Sequence, residues 1–171
     1  MAQEGDREPG RALLVQVSDR MKLLLSVVEG CVQQLDDSQI WYRADEKDNA
    51  IANLMLHLAG SLRQSIVVGV GRHGVDTRNR DAEFAARGGM SRDQALGTFR
   101  DAVLQSCGVI DRLTAEAITG TCLVQNVERP VAYLLVLAVA HMGVHIGQIQ
   151  LITRTLRRAA YKETWANPPR K

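Results

Sequence analysis

The chain has 171 residues, with Lys+Arg 21 against Asp+Glu 19 and a formal net charge of +2. That length suffices for a substantial buried core, and the expected organisation is one domain over residues 1–171. Near neutrality gives no general attraction to nucleic acid phosphates or to anionic lipid, so neither a nucleic acid nor a membrane is an expected partner. Aromatic residues are 4% of the chain and Pro occupies 4 positions. This helix-forming composition predicts an all-α fold.

The first ten residues, MAQEGDREPG, carry acids and no apolar run after Met1, which is the pattern of neither a signal peptide nor a transit peptide. The longest apolar run, Val131 to Ala140, is about half of what a bilayer crossing requires. Cys31, Cys107 and Cys122 are an odd number without CxxC spacing. They suit a reducing compartment, and the expected location is the cytoplasm.

From Leu14 the apolar positions run Leu14, Val17, Met21, Leu24, Val28, Cys31, Leu35, one stripe on one face of a long first helix. Asp36, Asp37 and Ser38 end it. The connector to Asp48, a predicted N-cap, favours an antiparallel pair with the second helix. That helix reads Asn49 to about Val68, with Ile51, Leu54, Met55, Leu58, Leu62 and Ile66 as core. Asn53, His57, Gly60 and Gln64 form a small polar face beside them. Glycines at 69, 71 and 74 break it, and a long connector follows to Met90 with the charged run Asp76, Arg78, Arg80, Asp81, Glu83.

Ser91-Arg92-Asp93-Gln94 is a capping box that starts the third helix, whose stripe is Leu96, Phe99, Val103, Ile110 and Leu113. It fades around Ala117. Pro130 opens the fourth helix, which runs to about Arg158 with Leu134, Leu137, Ala138, His141, His145, Gln148 and Ile152 along its inward face. Residues 1–10 and 162–171 are expected to be disordered or extended tails. Four apolar stripes predict a four-helix bundle. The long connector between the second and third helices predicts one crossover between parallel helices.

Only 4 histidines are present. His141 and His145, four apart on a helix, leave one face within reach of a single ion, and His57 can supply a third ligand from across the bundle. A HxxxH pair also arises without a metal, and His57 alone reads equally as a hydrogen-bonded core residue. No Glu lies between His141 and His145, so the HExxH arrangement of a zinc peptidase is excluded. Gln64 and Gln148 point to the same region; they could orient ligands or substrate from behind the histidines, or form polar ends of the core. His73 reads as an exposed loop residue. Arg78 and Arg80 read as locally ion-paired, the alternative being contact with an anionic substrate group. The cysteines read as packing residues, and the basic end of the fourth helix, Arg154, Arg157 and Arg158, complements the helix dipole.

The string HMGVHIGQI from His141, together with NLMLHLAG from Asn53, resembles the DinB/YfiT-like metal-binding four-helix-bundle superfamily, with all four helices agreeing in order and length. DTRNRDAEF, Asp76 to Phe84, resembles an uncharacterised subgroup with an Arg/Asp-rich loop after the second helix. The resemblance implies an up-down-down-up bundle, a divalent metal such as zinc or nickel on His57, His141 and His145, and a homodimer. Some relatives are thiol-dependent transferases or isomerases using a low-molecular-weight thiol. An ion on neutral imidazoles keeps its full charge and makes a hydroxide or thiolate available near neutral pH. The expected function is therefore a metal-dependent small-molecule enzyme of thiol-transferase type, or a hydrolase. The alternative is a noncatalytic, stress-associated interaction protein in which the ion only ties helices together. Neither the metal nor the substrate follows from the sequence.

Overall fold

A computed structural model describes residues 4–165. Helix α1 spans Glu4–Val32, α2 Ile51–Leu62, α3 Arg80–Ala85, α4 Arg92–Arg112 and α5 Val131–Arg157. The long helices α1, α2, α4 and α5 are the four expected from the sequence. A two-stranded antiparallel hairpin, β1 Thr121–Val124 and β2 Val127–Pro130, precedes α5.

Every member of the predicted stripe of the first helix is buried, from Leu14 to Leu35, although the α-helix itself ends three residues before Leu35. Ile51, Leu54, Met55, Leu58, Leu62 and Ile66 are buried likewise. Phe99, Val103 and Ile110 bring α4 into the same core. Full burial of one such side chain contributes roughly 1.5–3 kcal/mol. The capping box forms as read: Ser91 Oγ accepts from Gln94 N at 3.2 Å and Gln94 Oε1 accepts from Ser91 N at 2.8 Å.

Helix directions follow from paired contacts. Arg11 near the start of α1 donates to the Asp111 carbonyl at the end of α4, and Arg92 at the start of α4 donates to the Leu35 carbonyl just beyond α1, so these helices are antiparallel. Arg63 meets Thr98 and Gly71 meets Val109, so α2 runs parallel to α4. Gln34 after α1 bonds the Lys162 carbonyl after α5, so α1 and α5 end together. The bundle is thus up-down-down-up, with residues 71–91 as the crossover. The principal packing joins α1 to α4 and α5, and α2 to α4 and α5. The antiparallel α1 and α2 therefore lie on a diagonal, because their 18-residue connector, 33–50, spans the end of the bundle.

Several boundaries differ from the sequence reading. The N-cap of α2 is Ala50, not Asp48; the Asp48 carboxylate instead accepts from Asp45 N in the preceding turn. The second helix continues past Leu62 as a π-helix, Arg63–Val70, with Gly71 N donating to Ile66 O at 2.8 Å. The connector to Met90 holds α3, capped by Asn79 Oδ1 on Ala82 N. Helix α4 stops at Arg112, and the following twelve residues, 113–124, contain a 3-10 turn and strand β1. Positive φ at Gln125 and Asn126, 51° and 60°, closes the hairpin in the manner that matches strand twist.

Residues 4–10 of the first expected tail are helical, whereas the described part of the second, 162–165, has neither helix nor strand but packs on the bundle. Helix α1 begins at Glu4, Thr164 packs on Gly30, and Trp165 lies against the core with Arg20 over its ring at 5.1 Å. Residues 1–3 and 166–171 lie outside the described part.

By length and composition α5 and its extension, Val131–Ala160, could cross a bilayer, which the count over Val131 to Ala140 understates. Here Leu134, Leu135, Ala138, Met142, Ile146 and Ile149 supply bundle core. Leu137, read as inward, is 41% exposed, so the buried face is rotated and the two histidines sit on its flank. A helix apolar on all sides does not fix its own phase.

All three cysteines are buried and free, and burial raises each thiol pKa. They are expected to resist a disulfide-exchange reagent at pH 8 in the folded protein and to react once denaturant is added, as a thiol titration with and without guanidinium will show.

Candidate metal centre

His57 lies midway along α2 and is 6% exposed; His141 and His145 lie one turn apart on α5 and are half-buried. The antiparallel packing of α2 against α5 brings the three rings together. His57 Nε2 is 3.0 Å from His141 Nε2, which is 3.0 Å from His145 Nε2. One nitrogen from each ring falls within 4.8 Å of the others.

The outer nitrogens decide what these atoms carry. His57 Nδ1 is 3.1 Å from Glu83 Oε2, and His145 Nδ1 is 2.8 Å from Gln148 Oε1. Glu83 and Gln148 are acceptors, and in the tautomer in which both Nδ1 atoms donate to them both Nε2 atoms present lone pairs; Arg78 Nη2, a donor, also lies 3.1 Å from His57 Nδ1. His141 has one Nε2 proton at most and faces two lone pairs. In that tautomer the neutral set cannot satisfy itself by hydrogen bonding, whereas a cation accepts from all three rings at once. Burial lowers the pKa of His57 despite Glu83, and burial followed by the neighbouring imidazoles and Arg78 and Arg80 pushes His141 down to about 4. Near neutral pH both are in the unprotonated form that ligates metal.

A network the sequence reading missed stands behind His57. Arg78 grips Glu83 with two hydrogen bonds, Nε to Oε1 at 2.8 Å and Nη2 to Oε2 at 3.0 Å, and both side chains are 11% exposed. His57 Nδ1 and Arg78 Nη2 converge on the same carboxylate oxygen. Asn53, four residues before His57, donates to the Glu83 carbonyl at 2.8 Å and the Ala86 carbonyl at 3.0 Å, pinning α3 against α2. Gly60 leaves the space that the carboxylate fills: a Cβ there would lie 2.9 Å from Glu83 Cδ and 3.0 Å from Arg78 Nε. The glycine serves a side chain rather than close helix approach.

Of the two glutamines singled out, Gln148 bonds a histidine directly. Gln64 does not; it accepts from Arg78 Nη1 at 3.0 Å and donates to Asp76 at 2.7 Å, so it braces Glu83 through the arginine. Arg78 is ion-paired as read. Arg80 has no ion-pair partner among the described residues: its guanidinium lies 5.0 Å over the Phe84 ring, which itself sits 4.5 Å from the His57 ring. His73 is exposed in the connector. Glu83 carried no spacing signal, being 26 residues from His57; the signal that finds it is the rule that a metal-bound histidine has a carboxylate or carbonyl on its other nitrogen.

Comparison with known proteins gives a family and a fold. Residues 8–168 match the family described as "Protein of unknown function (DUF1572)". No curated protein matches the chain. Among solved structures, a DinB-like protein from Bacillus cereus ATCC 10987 superposes with a TM-score of 0.62 at 13% identity, covering 79% of this chain and 87% of that one. At that identity the likeness establishes the helical fold alone.

Proposed function

The chain belongs to the DUF1572 family and has a DinB-like fold, and on that premise we propose that it binds one divalent metal ion, zinc or nickel, through His57, His141 and His145. The observation that carries this is the convergence of three imidazole Nε2 atoms, with Glu83 and Gln148 on the outer nitrogens of His57 and His145. The site is open, because His141 and His145 are only half-buried and no protein carboxylate or thiol completes the set among the described residues. An open three-histidine set is the pattern of reactive rather than purely structural sites. The ion supplies Lewis-acid activation of a thiol or water nucleophile. The protein's own groups do the rest: Glu83 and Gln148 hold the imidazoles in one tautomer, Arg78 holds Glu83, and Phe84 covers one side of His57. The reading is a metal-dependent transferase acting on a small electrophile with a low-molecular-weight thiol, in the cytoplasm.

Metal uptake, one variant and one activity assay test it. Purified protein is expected to take up one equivalent of Zn(II) or Ni(II), and Co(II) is expected to give the intense visible bands of a low-coordinate nitrogen site. Glu83→Gln keeps the shape and removes the charge behind His57, and is expected to weaken metal binding about tenfold. Metal-dependent consumption of an electrophile with a simple thiol separates the transferase from a protein whose ion only ties α2 to α5; a loaded protein with no such rate selects the latter.

We also propose that a second copy covers the N-terminal half of the outer face of α5. Tyr133, Val136, Leu137 and Val144 are exposed there by 41–63%, and residues 131–153 contain no Asp, Glu, Lys or Arg. Sedimentation is expected to show a dimer that Val144→Glu converts to monomer.

A further inference from the structure

We propose that the cavity between residues 42–49 and the C-terminal half of α5 binds a small organic anion with an apolar body, its carboxylate held by Arg43 and Lys47. The cavity has a volume of about 390 Å³, within the range of small-molecule sites. Leu54 of α2 and Leu151 and Ile152 of α5 form its apolar wall, and Tyr42 closes one side. Leu151 is 66% exposed and Tyr42 45%, so the wall is open to an incoming apolar group.

Charge fixes the other end of the ligand. Arg43, Lys47 and Asp48 line the cavity, and the Asp48 carboxylate is engaged by Asp45 N at 3.1 Å. Among the described residues Arg43 has only neutral hydrogen-bond partners: its Nη2 donates to Asn53 Oδ1 and, at 2.7 Å, to the Ala86 carbonyl. Its Nε is buried with no partner among the described residues. Burial, and then the charge of Arg87, both lower its pKa. A guanidinium held in this way, without a compensating carboxylate, is costly to the protein alone. A ligand carboxylate at Nη1, which has no hydrogen-bond partner among the described residues, supplies the missing charge through one charge-assisted hydrogen bond. Lys47, exposed at the rim, adds a second cation.

The cavity reaches the histidines only through Gln148. Gln148 lines it and bonds His145 Nδ1 at 2.8 Å, so the apolar body of the ligand lies one hydrogen bond from that ring. The inference does not depend on metal binding, since Arg43 and the apolar wall are in place without it.

Calorimetric titration of the full chain with sodium octanoate tests it, with 1-octanol as the neutral control of the same length. Octanoate is expected to bind one to one, at least about tenfold more tightly than octanol. Arg43→Gln is expected to bring the two affinities together, with the melting curve reporting whether the fold survives loss of the Asn53 and Ala86 contacts. Thr155→Trp, which places an indole in the cavity from an exposed position that makes no side-chain hydrogen bond, is expected to abolish both. Equal affinity for octanoate and octanol, no binding at millimolar ligand, or octanoate binding that survives Thr155→Trp would overturn the proposal. So would octanoate binding that disappears after dialysis against EDTA, because that places the carboxylate at the histidines instead of at Arg43.

Discussion

Replacing His141 by Ala is expected to lower divalent-metal affinity by more than about 100-fold, beyond the 10–100-fold typical of losing an outer partner of a ligand. His141 is the informative choice among the three histidines. Its Nε2 is the atom 3.0 Å from both of the others, so its removal leaves two nitrogens on different helices with nothing between them. His57→Ala would in addition strip Glu83 and Arg78 of a partner and mix the loss of a ligand with the disruption of a buried ion pair. His141 is half-buried on a long helix, and Ala is the best helix former, so the fold should hold. The check is a pair of melting curves: parent and variant are expected to melt together in EDTA, and excess zinc is expected to raise the midpoint of the parent alone. A 100-fold change in dissociation constant removes about 2.7 kcal/mol of metal-linked stabilisation at high metal concentration. A variant that still took up one equivalent with parental affinity would show that the ion sits elsewhere.

The bundle is legible in the sequence wherever a helix has one apolar face. The stripe from Leu14 to Leu35 and that from Ile51 to Ile66 are buried throughout, and the capping box at Ser91 marks the start of α4 to the residue. Legibility fails where the pattern is apolar on all sides. Helix α5 offers Leu135 and Leu137 as equally apolar neighbours of Leu134 and Ala138, and only packing against α1 and α2 decides that Leu135 turns inward and Leu137 outward. The hairpin is missed for a different reason. Its four-residue strands are too short for an alternation to stand out, and Gln125-Asn126 lacks the glycine that usually advertises such a turn.

The convergence of the three imidazoles is legible too, since HxxxH sets two rings on one face and His57 occupies the polar side of the neighbouring helix. The groups behind them are only partly so. Gln148 is found because it lies three residues from His145, within one helix turn. Glu83 reaches His57 from a separate short helix, and its position depends on Asn53 holding the Glu83 and Ala86 carbonyls, a tertiary contact with no sequence period. Gln64 illustrates the converse. Seven residues after His57 put it two turns, roughly 10 Å, further along the helix, beyond reach of the rings, and its amide meets Arg78 and Asp76 instead.

Gly60→Ala is expected to weaken metal binding by as much as about 100-fold, the upper end of the range for outer partners, although no atom of residue 60 approaches a ligand nitrogen. An added Cβ would overlap Glu83 Oε1 and lie 2.9 Å from Glu83 Cδ and 3.0 Å from Arg78 Nε. The carboxylate and the guanidinium form one bidentate unit, so they must move together, and the movement carries the acceptor away from His57 Nδ1. The ring then loses the contact that fixes its tautomer and keeps its Nε2 lone pair inward. Helix propensity acts in the opposite sense, since Ala in place of Gly within a helix contributes up to about 1 kcal/mol. Gly97 on α4 isolates that term, because a Cβ there meets nothing within 4 Å. Gly97→Ala is accordingly expected to leave metal affinity unchanged, and a zinc titration of the two variants beside Glu83→Gln reads the difference. If Gly60→Ala bound zinc as tightly as the parent, the Glu83 carboxylate would have no part in holding His57, and the effect of Glu83→Gln should vanish with it.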